Sequence, residues 1–230
     1  MEEKNHFEAF KARQEASQAE TLRKAGKTAR LPHELADAAH ALAAKFVAKE
    51  GAAVKTACEE GCSYCCHQPA TVFPFEAIRI ARVLKESLSN ERLEALEEKM
   101  KSRVKGLKGA SVRKNINDKT ACPLLVDDCC SIYANRPLTC RLAHSFSVKR
   151  CRVSFQKDRT KVEIPISLEL LTGISGIIEG AFERLPEKGL DANLYELCSA
   201  VLAALADPDA AAKWAKGDRR VFEGCVRDDT

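Results

Sequence analysis

Apolar residues recur at helical spacing along most of this chain. Pro32 suits the first turn of a helix, and an alanine-rich stretch follows it to about Lys55. One face of that stretch carries Leu35, Leu42 and Phe46. The same three-four spacing predicts further helices that begin near Phe75, Asn90, Ser167 and Asp191, and a short last one that opens at Asp207. The first two of these form a predicted hairpin over residues 75–108, and the expected fold is mainly α.

The helical spacing is lost between Gly109 and Lys161, where turn-forming residues alternate with cysteines. The sequence therefore predicts a helical scaffold that carries an irregular, metal-binding, cysteine-rich segment. With 230 residues, of which 45% are hydrophobic and 30% charged, the chain can bury one substantial core. We expect N-terminal helices (1–57), a cysteine-cluster domain (58–160) and C-terminal helices that pack on the same core (161–230). About the first 30 residues are charged, and we expect them to be loosely attached or to form a solvated helix.

Most of the eleven cysteines fall into two groups. Four lie within nine residues and four more are spread over the irregular segment: Cys58, Cys62, Cys65 and Cys66, then Cys122, Cys130, Cys140 and Cys151. Thiolates bind zinc and iron-sulfur clusters, and short spacings reduce the chain entropy lost when ligands are gathered. Such clustering is more typical of metal ligation than of a disulfide framework.

The spacing within the first group indicates how many metal ions are bound. Cys58, Cys62 and Cys65 are four and three residues apart, so one helical turn or tight knuckle can aim them at a common point. Gly61 would ease that turn. The side chains of Cys65 and its neighbour Cys66 should diverge, which favours two metal ions or one larger cluster over a single tetrahedral ion.

Basic residues are concentrated in two runs. Residues 99–119 contain eight Lys and Arg, and residues 141–161 contain seven. One interpretation is nucleic-acid binding, and the other is that these cations offset an anionic metal-thiolate centre. We favour the second, because neither run has the interleaved aromatic residues of a base-stacking surface. The formal net charge of +4 treats every cysteine as neutral, so eight thiolates holding two divalent ions would bring the protein close to neutrality.

The cellular location is predicted from two absences in the sequence. The first eight residues are largely charged and include no secretory apolar stretch, and no later apolar run reaches the ~18 residues that a membrane span requires. We therefore expect a cytoplasmic protein with no membrane partner.

The cysteine pattern resembles a known family. Cys58-x3-Cys62-x2-Cys65-Cys66 is followed by Cys122-Pro-Leu-Leu and by Cys130-Ser-Ile-Tyr-Ala-Asn-Arg-Pro-Leu-Thr-Cys140-Arg. This order is similar to that of the CxxCxxCC proteins, a zinc- or iron-chelating family, over roughly residues 58–151. The resemblance implies a metal cofactor, either zinc or iron, the latter including a 4Fe-4S cluster. It also implies eight ligand positions: Cys58, Cys62, Cys65, Cys66, Cys122, Cys130, Cys140 and Cys151. The chain departs from the family pattern in placing three residues, rather than two, between the first pair.

Two enzymatic alternatives remain open. The family includes proteins that resemble lysine methylases with an iron-sulfur centre, although this chain has no glycine fingerprint for a second cofactor. The stretch Cys58-x3-Cys62-Ser-Tyr64-Cys65 also resembles the cluster motif of radical S-adenosylmethionine enzymes. In those enzymes the motif follows a strand, whereas here it follows a predicted helix and no strand-helix alternation comes after it. We therefore predict a metal-binding module, with an iron-sulfur redox or group-transfer enzyme as the alternative.

A few further residues are candidates for the same site. His67 could replace a cysteine ligand or hydrogen-bond a sulfur, His144 is a weaker candidate of the same kind, and Cys129 could replace Cys130. Arg136 and Arg141 could donate to thiolates or simply bond loop carbonyls. Two further cysteines are not expected to bind metal: Cys198, which is a predicted core thiol, and Cys225, which lies in the charged tail.

Overall fold

The computed structural model describes residues 2–50, 54–107 and 109–227. It is 62% helical, which confirms the mainly α class. The longer helices are α1 (Glu2–Ala25), α2 (Leu31–Glu50), α3 (Pro74–Ser87), α4 (Asn90–Gly106), α5 (Leu138–Leu142), α6 (Val148–Gln156), α7 (Leu168–Glu187), α8 (Leu197–Ala206) and α9 (Ala210–Ala215). We call α1–α4 and α7–α9 the scaffold, and residues 54–67 with 117–161 the cysteine region.

The scaffold helices surround a single apolar core. Helix α7 packs against α1 and α2, α2 packs against α3, and α8 packs against α3 and α4. Aromatic side chains fill the region near α9, where the Phe75 ring is stacked on that of Phe73 and lies 6.3 Å from that of Trp214. All three side chains are buried. The packing explains why the apolar positions in these helices follow helical spacing, because each helix presents one stripe to the same core.

The N-terminal segment is part of this core rather than a loose tail. Gln14 and Gln18 of α1 are buried against the protein, and Lys11 forms an ion pair of 2.7 Å with Glu183 of α7. Gly180 of α7 allows a close approach, because a Cβ atom there would lie 3.1 Å from the Gln14 side chain. Of the two alternatives given for the first 30 residues, the described part of α1 is the helical one, and this helix packs against α7. Apolar spacing did not reveal this helix, because the segment has low hydrophobicity and is held largely by polar contacts and by close packing at Gly180.

Several helix ends differ from the sequence-based expectation. Helix α8 was expected to follow an Asp191 cap, but it begins later, at Leu197, and its cap is Glu196, which accepts the Ser199 N–H at 2.8 Å. The Asp191 carboxylate accepts the Tyr195 hydroxyl at 2.7 Å instead. A buried tyrosine hydroxyl requires a partner, and this requirement takes the aspartate away from the helix end.

Two small antiparallel sheets complete the fold. Strand β1 (Thr71–Val72) pairs with β4 (Tyr195–Glu196), and β2 (Leu125–Val126) pairs with β3 (Cys129–Cys130). The first sheet joins the chain just after the first cysteine group to the start of α8. The second is a hairpin whose two turn residues, Asp127 and Asp128, both have positive φ angles (49° and 60°). Both angles suit a two-residue turn of type I′, in which aspartate and asparagine are tolerated.

The cysteine region has more regular structure than its sequence suggests. We expected no helix between Gly109 and Lys161, yet α5 and α6 both lie there. Helix α6 has nine residues, is capped by the Ser147 hydroxyl and carries Cys151. Its four basic and polar exposed positions obscure the short apolar stripe, which is why helical spacing did not reveal it.

None of the helices described here is both long enough and apolar enough to cross a lipid bilayer.

Candidate metal centre

The first cysteine group lies in a loop that leaves α2 and turns back toward β1. Gly61 has a φ of +83°, as expected for the residue that lets the chain reverse before Cys62. A single 3-10 turn, Tyr64–Cys66, then carries the last two cysteines of the group. The predicted tight knuckle is therefore present at this point of the chain.

The second group comes from four different elements. Cys122 lies just before the β2–β3 hairpin, Cys130 lies on β3, Cys140 on α5 and Cys151 on α6. Because these elements have different directions, the cysteines approach the first group from several sides. All eleven cysteines of the chain are free thiols in this structure.

Hydrogen bonds join the two groups at three points. The Cys122 N–H donates to the Cys66 carbonyl at 2.8 Å, and the Ala57 N–H donates to the Ser145 carbonyl at 2.7 Å. The Ser63 hydroxyl donates to the Asp128 carboxylate at 2.6 Å, which fastens the knuckle to the hairpin turn. The two halves of the cysteine region are thus assembled by the protein's own polar bonds.

The thiols form one electrostatically connected set centred on Cys65. On one side, burial raises the pKa of Cys58 and of Cys62, and the charges of Cys65 and Cys151 raise both further. On the other, Cys140 is influenced by Cys65, Cys122 and Cys130. Thiols that are more than 50 residues apart in sequence therefore lie within range of electrostatic interaction.

Backbone N–H groups near several of the sulfurs favour their charged form. Burial raises the pKa of Cys58, Cys62, Cys122 and Cys130, and one N–H acts against it in each case. The N–H groups are those of Ser145 for Cys58, Tyr64 for Cys62, Leu124 for Cys122 and Ile132 for Cys130. Donors of this type favour the thiolate over the neutral thiol, and they are therefore suited to anionic, metal-bound cysteine.

Without metal, burial outweighs these donors. Burial raises the pKa of the Cys122 thiol to about 11, with the Leu124 N–H acting in the opposite direction. Burial likewise raises the pKa of Cys140, and the neighbouring thiols Cys122 and Cys65 raise it further. Such thiols are neutral at physiological pH unless a cation replaces the proton, so metal binding here would release protons.

Cys65 and Cys66 are consecutive residues of one 3-10 turn, which has a tighter backbone than an α-helix. The Cys66 thiol, ahead of burial, raises the pKa of Cys65. The expectation that the two side chains diverge, and the preference for two ions or one larger cluster that follows from it, stay predictions.

Glu76 of α3 connects the scaffold to the cysteine region. Its carboxylate is fully buried and accepts the Leu138 N–H at the start of α5 at 2.8 Å. It also accepts the Phe73 N–H at 3.2 Å and contacts His40 Nε2 at 2.9 Å. Since α5 carries Cys140, the position of that cysteine depends on a buried carboxylate that the sequence did not single out. A glutamate in the first turn of a helix gives no signal beyond that of an ordinary cap.

Three arginines surround the thiols in different ways. Arg141 donates to the carbonyls of Arg136 and Ala134 at 3.2 and 2.9 Å. Of the two roles considered for Arg141, donation to thiolates or to loop carbonyls, these bonds correspond to the second. Arg159 donates from Nη2 to the carbonyls of Tyr64 and His67, at 3.2 and 3.0 Å, on either side of Cys65 and Cys66. The Nε–H groups of Arg136 and Arg159 are buried and meet no acceptor in the described part of the chain.

The two histidines considered as ligands have other partners. His67 Nδ1 lies 3.0 Å from the Ser63 carbonyl, and its ring packs edge-on against Phe155. His144 Nε2 accepts the Ser167 N–H at 2.9 Å, so its Nδ1 carries the proton and donates to the Leu142 carbonyl. Both rings therefore fix loops around the cysteines.

Three cysteines are not among the eight predicted ligands, although Cys122 acts electrostatically on one of them, Cys198. Cys129 and Cys130 are adjacent on β3, and consecutive strand residues face opposite ways. Of the two, Cys130 is the one on which Cys65 acts. Cys198 is 2% exposed on α8, in agreement with a core thiol, and the Cys225 thiol donates to the Ser199 carbonyl at 3.5 Å.

The donor set fits zinc or iron in chemistry, but the thiols are not yet arranged as a closed site. In the parts of the chain that the structure covers, no three His, Cys, Asp or Glu side chains are placed so that they could hold an ion as they stand. The fit rests on the neighbouring thiols, the N–H groups directed at them and the two buried guanidinium donors without an acceptor. Soft thiolates are the ligands that zinc and iron-sulfur clusters prefer.

The comparison with protein families agrees with this chemistry. Residues 57–162 match the family model CxxCxxCC, described as "Putative zinc- or iron-chelating domain". The match covers slightly less than half of the 230 residues and coincides with the segment whose cysteine pattern resembles this family, which confirms the resemblance. Comparisons with curated proteins and with solved structures gave no match.

Proposed function

We propose that this protein binds zinc or iron through eight cysteines in one continuous site. The ligands are those implied by the family resemblance: Cys58, Cys62, Cys65, Cys66, Cys122, Cys130, Cys140 and Cys151. The observation that carries the proposal is that all eight lie within residues 57–162, the segment that matches a zinc- or iron-chelating family model. Burial raises the pKa of Cys58, Cys62, Cys122 and Cys130, and a nearby backbone N–H acts against it in each case, which favours the thiolate form that binds metal.

The proposed site has two lobes that share Cys65. One lobe comprises Cys58, Cys62 and Cys151, and the other comprises Cys122, Cys130 and Cys140, with Cys66 beside the shared sulfur. The support for this division is that Cys65 acts electrostatically on members of both lobes. We infer a polynuclear centre or two ions in contact through sulfur, rather than two independent sites.

Binding would require the thiols to draw together. The sulfurs lie on a loop, a hairpin and two short helices. The binding energy of a structural zinc ion, on the order of 10 kcal/mol or more, is sufficient to order such elements. When bound, the metal would supply the cross-link between the two halves of the cysteine region.

An iron-sulfur centre with a redox or group-transfer role is the second candidate function. It is favoured by the number of thiols, because eight neighbouring cysteines exceed the four that one tetrahedral ion uses. The hydrogen bonds to the sulfurs would then help to set the reduction potential. A nucleic-acid-binding role has weaker support, since several basic side chains that flank the cysteines already bond to protein carbonyls.

Metal analysis and an absorption spectrum of protein purified without oxygen test the proposal. Colourless protein with about two zinc ions per chain would exclude the redox alternative. Brown protein that is bleached by dithionite would exclude zinc. Protein that contains neither metal, and takes up neither when it is offered, would refute the proposed function.

A matched pair of variants tests the ligand assignment. Cys130→Ser should lower the bound metal and the thermal stability, whereas Cys129→Ser, one residue away on the same strand, should keep both. Cys65→Ser and Cys140→Ser should behave like Cys130→Ser, and the core variant Cys198→Ser should retain full metal content. Equal metal in the Cys129 and Cys130 variants would contradict the assignment.

A further inference from the structure

Two arginines near the thiols have unused hydrogen-bond donors. A guanidinium group has five N–H donors, and a buried donor without an acceptor is costly and rare. The Nε–H groups of Arg136 and Arg159 are both in this state within the described chain, as is one donor each of Arg82, Arg103 and Arg184. The last three are paired with carboxylates, whereas Arg136 and Arg159 are paired with none among the described residues, and this difference sets the two arginines near the thiols apart.

The position of Arg159 is fixed by the loop that carries Cys65 and Cys66. Its Nη2 bonds to the carbonyls of Tyr64 and His67, which hold the guanidinium against the knuckle, and its ring neighbour is Phe155 at 5.7 Å. Burial lowers the pKa of Arg159, and the charges of Cys65 and Cys151 act against this effect. The charge of Arg159 therefore lies on the side of the site that joins the knuckle to α6.

Arg136 lies on the stretch of chain between Cys130 and Cys140. Its guanidinium stacks over the Tyr133 ring at 4.4 Å, and its charge acts to lower the pKa of Cys58, Cys65 and Cys130. No carboxylate in the described chain forms an ion pair with either Arg136 or Arg159. Arg103 differs, because it is paired with Asp118 at 2.7 Å and its charge is already offset.

We propose that Arg136 and Arg159 are positioning residues of the metal centre, which stabilise its anionic thiolates through their charge and their free Nε–H donors. The inference rests on the proposed function. Eight thiolates carry more negative charge than one or two divalent ions can neutralise, so fixed cations at the site favour the bound state. It also explains why two guanidinium donors remain without acceptors among the described residues.

Metal affinity measured by competition is the test. Each variant is prepared as reduced full-length protein and competes with a chromophoric chelator for zinc(II) or for iron(II), each ion offered alone. Arg136→Gln and Arg159→Gln should each show a metal affinity about 10-fold or more lower than that of wild type. Arg136→Lys should recover most of the loss because lysine keeps the charge. Circular dichroism of each variant checks that the helices are retained.

Two controls separate charge from structure. Arg150→Gln removes an exposed arginine next to Cys151, whose Nε bonds to the Glu163 carbonyl, and should leave the affinity unchanged. Tyr133→Leu removes the stacking partner of Arg136 but keeps its charge, and should have a much smaller effect than Arg136→Gln. Arg136 is the more informative site, because its side chain makes no hydrogen bond to the described backbone that a substitution would break.

The outcomes distinguish this inference from the proposed function. If wild type binds metal and the two glutamine variants bind it as well as Arg150→Gln does, the inference is overturned and the proposed function stands. If Arg159→Gln loses metal while Arg136→Gln does not, the role of Arg159 is to hold the loop, and the inference is again overturned. If wild type binds neither ion, both are refuted.

Discussion

The scaffold and the cysteine region are held together by different forces. In the scaffold, large side chains such as Trp214, Phe75 and Ile174 are fully buried, so the removal of apolar surface from water stabilises it. The cysteine region contributes few residues to that core, chiefly Leu124, Ile132 and Leu138. It relies on short polar bonds and, in our proposal, on metal. In our proposal, the scaffold is therefore stable without a ligand, whereas the cysteine region depends on bound metal.

Removal of metal should produce the largest difference between the two regions. The loss of a cross-link on the order of 10 kcal/mol should expose the backbone of the cysteine region to exchange, while α7 and α8 stay protected. Hydrogen-deuterium exchange with and without a chelator measures this directly. Equal protection in both regions after chelation would show that the polar bonds alone are sufficient.

Substitution of Glu76 should weaken the connection between the regions. Glu76→Ala leaves the Leu138 and Phe73 N–H groups and His40 without their buried acceptor, and we expect a loss of about 3 kcal/mol of unfolding free energy. Thermal unfolding measures the loss, with Glu86→Ala as an exposed control on the same helix. Metal content should also fall, because α5 carries Cys140. A neutral effect on both would contradict the connecting role.

Addition of one methyl group to Gly173 should disturb the scaffold alone. A Cβ atom there would lie 2.2 Å from the Phe46 ring, so Gly173→Ala should cost about 2 kcal/mol through overpacking. Gly106→Ala, in α4 with no atom within 4 Å of the added Cβ, should be neutral or slightly stabilising. Chemical denaturation gives both values. Metal affinity should be unchanged in Gly173→Ala, and a loss of affinity would show that the two regions are more tightly coupled than we infer.

Acid should affect the scaffold through His33. Burial, followed by the charges of Arg82 and Arg79, lowers the pKa of His33 to about 4. Between this value and about 6.5, its value in an unfolded chain, the unfolded state binds the extra proton, so stability falls as the pH drops through that range. His33→Gln should remove roughly 1 kcal/mol of the acid sensitivity, allowing for the partial exposure of the ring. The Trp214 fluorescence of metal-free protein reports the scaffold, and identical acid profiles for the two proteins would contradict this assignment.

The sequence predicted those features that depend on local pattern. The stripe of α7, the turn at Gly61 and the grouping of the cysteines all follow from spacing alone. Helix α6 was missed because it is short and covered by exposed basic residues, and the docking of α1 was missed because its contacts with α7 are largely polar. Glu76 and Arg159 act across more than 60 residues of chain, and such long-range partners leave no mark in the spacing of neighbouring residues.

About 75 residues separate Cys66 from Cys140, and the α3–α4 hairpin lies between them. During synthesis at 5–20 residues per second, the knuckle would leave the ribosome roughly 4–15 s before α5 does. For that interval its four thiols would be open to oxidation or to capture of an unsuitable ion. If the proposed site binds metal, the order of the elements along the chain would make metal loading a late event, one that follows the synthesis of the hairpin and is sensitive to the redox state of the surroundings.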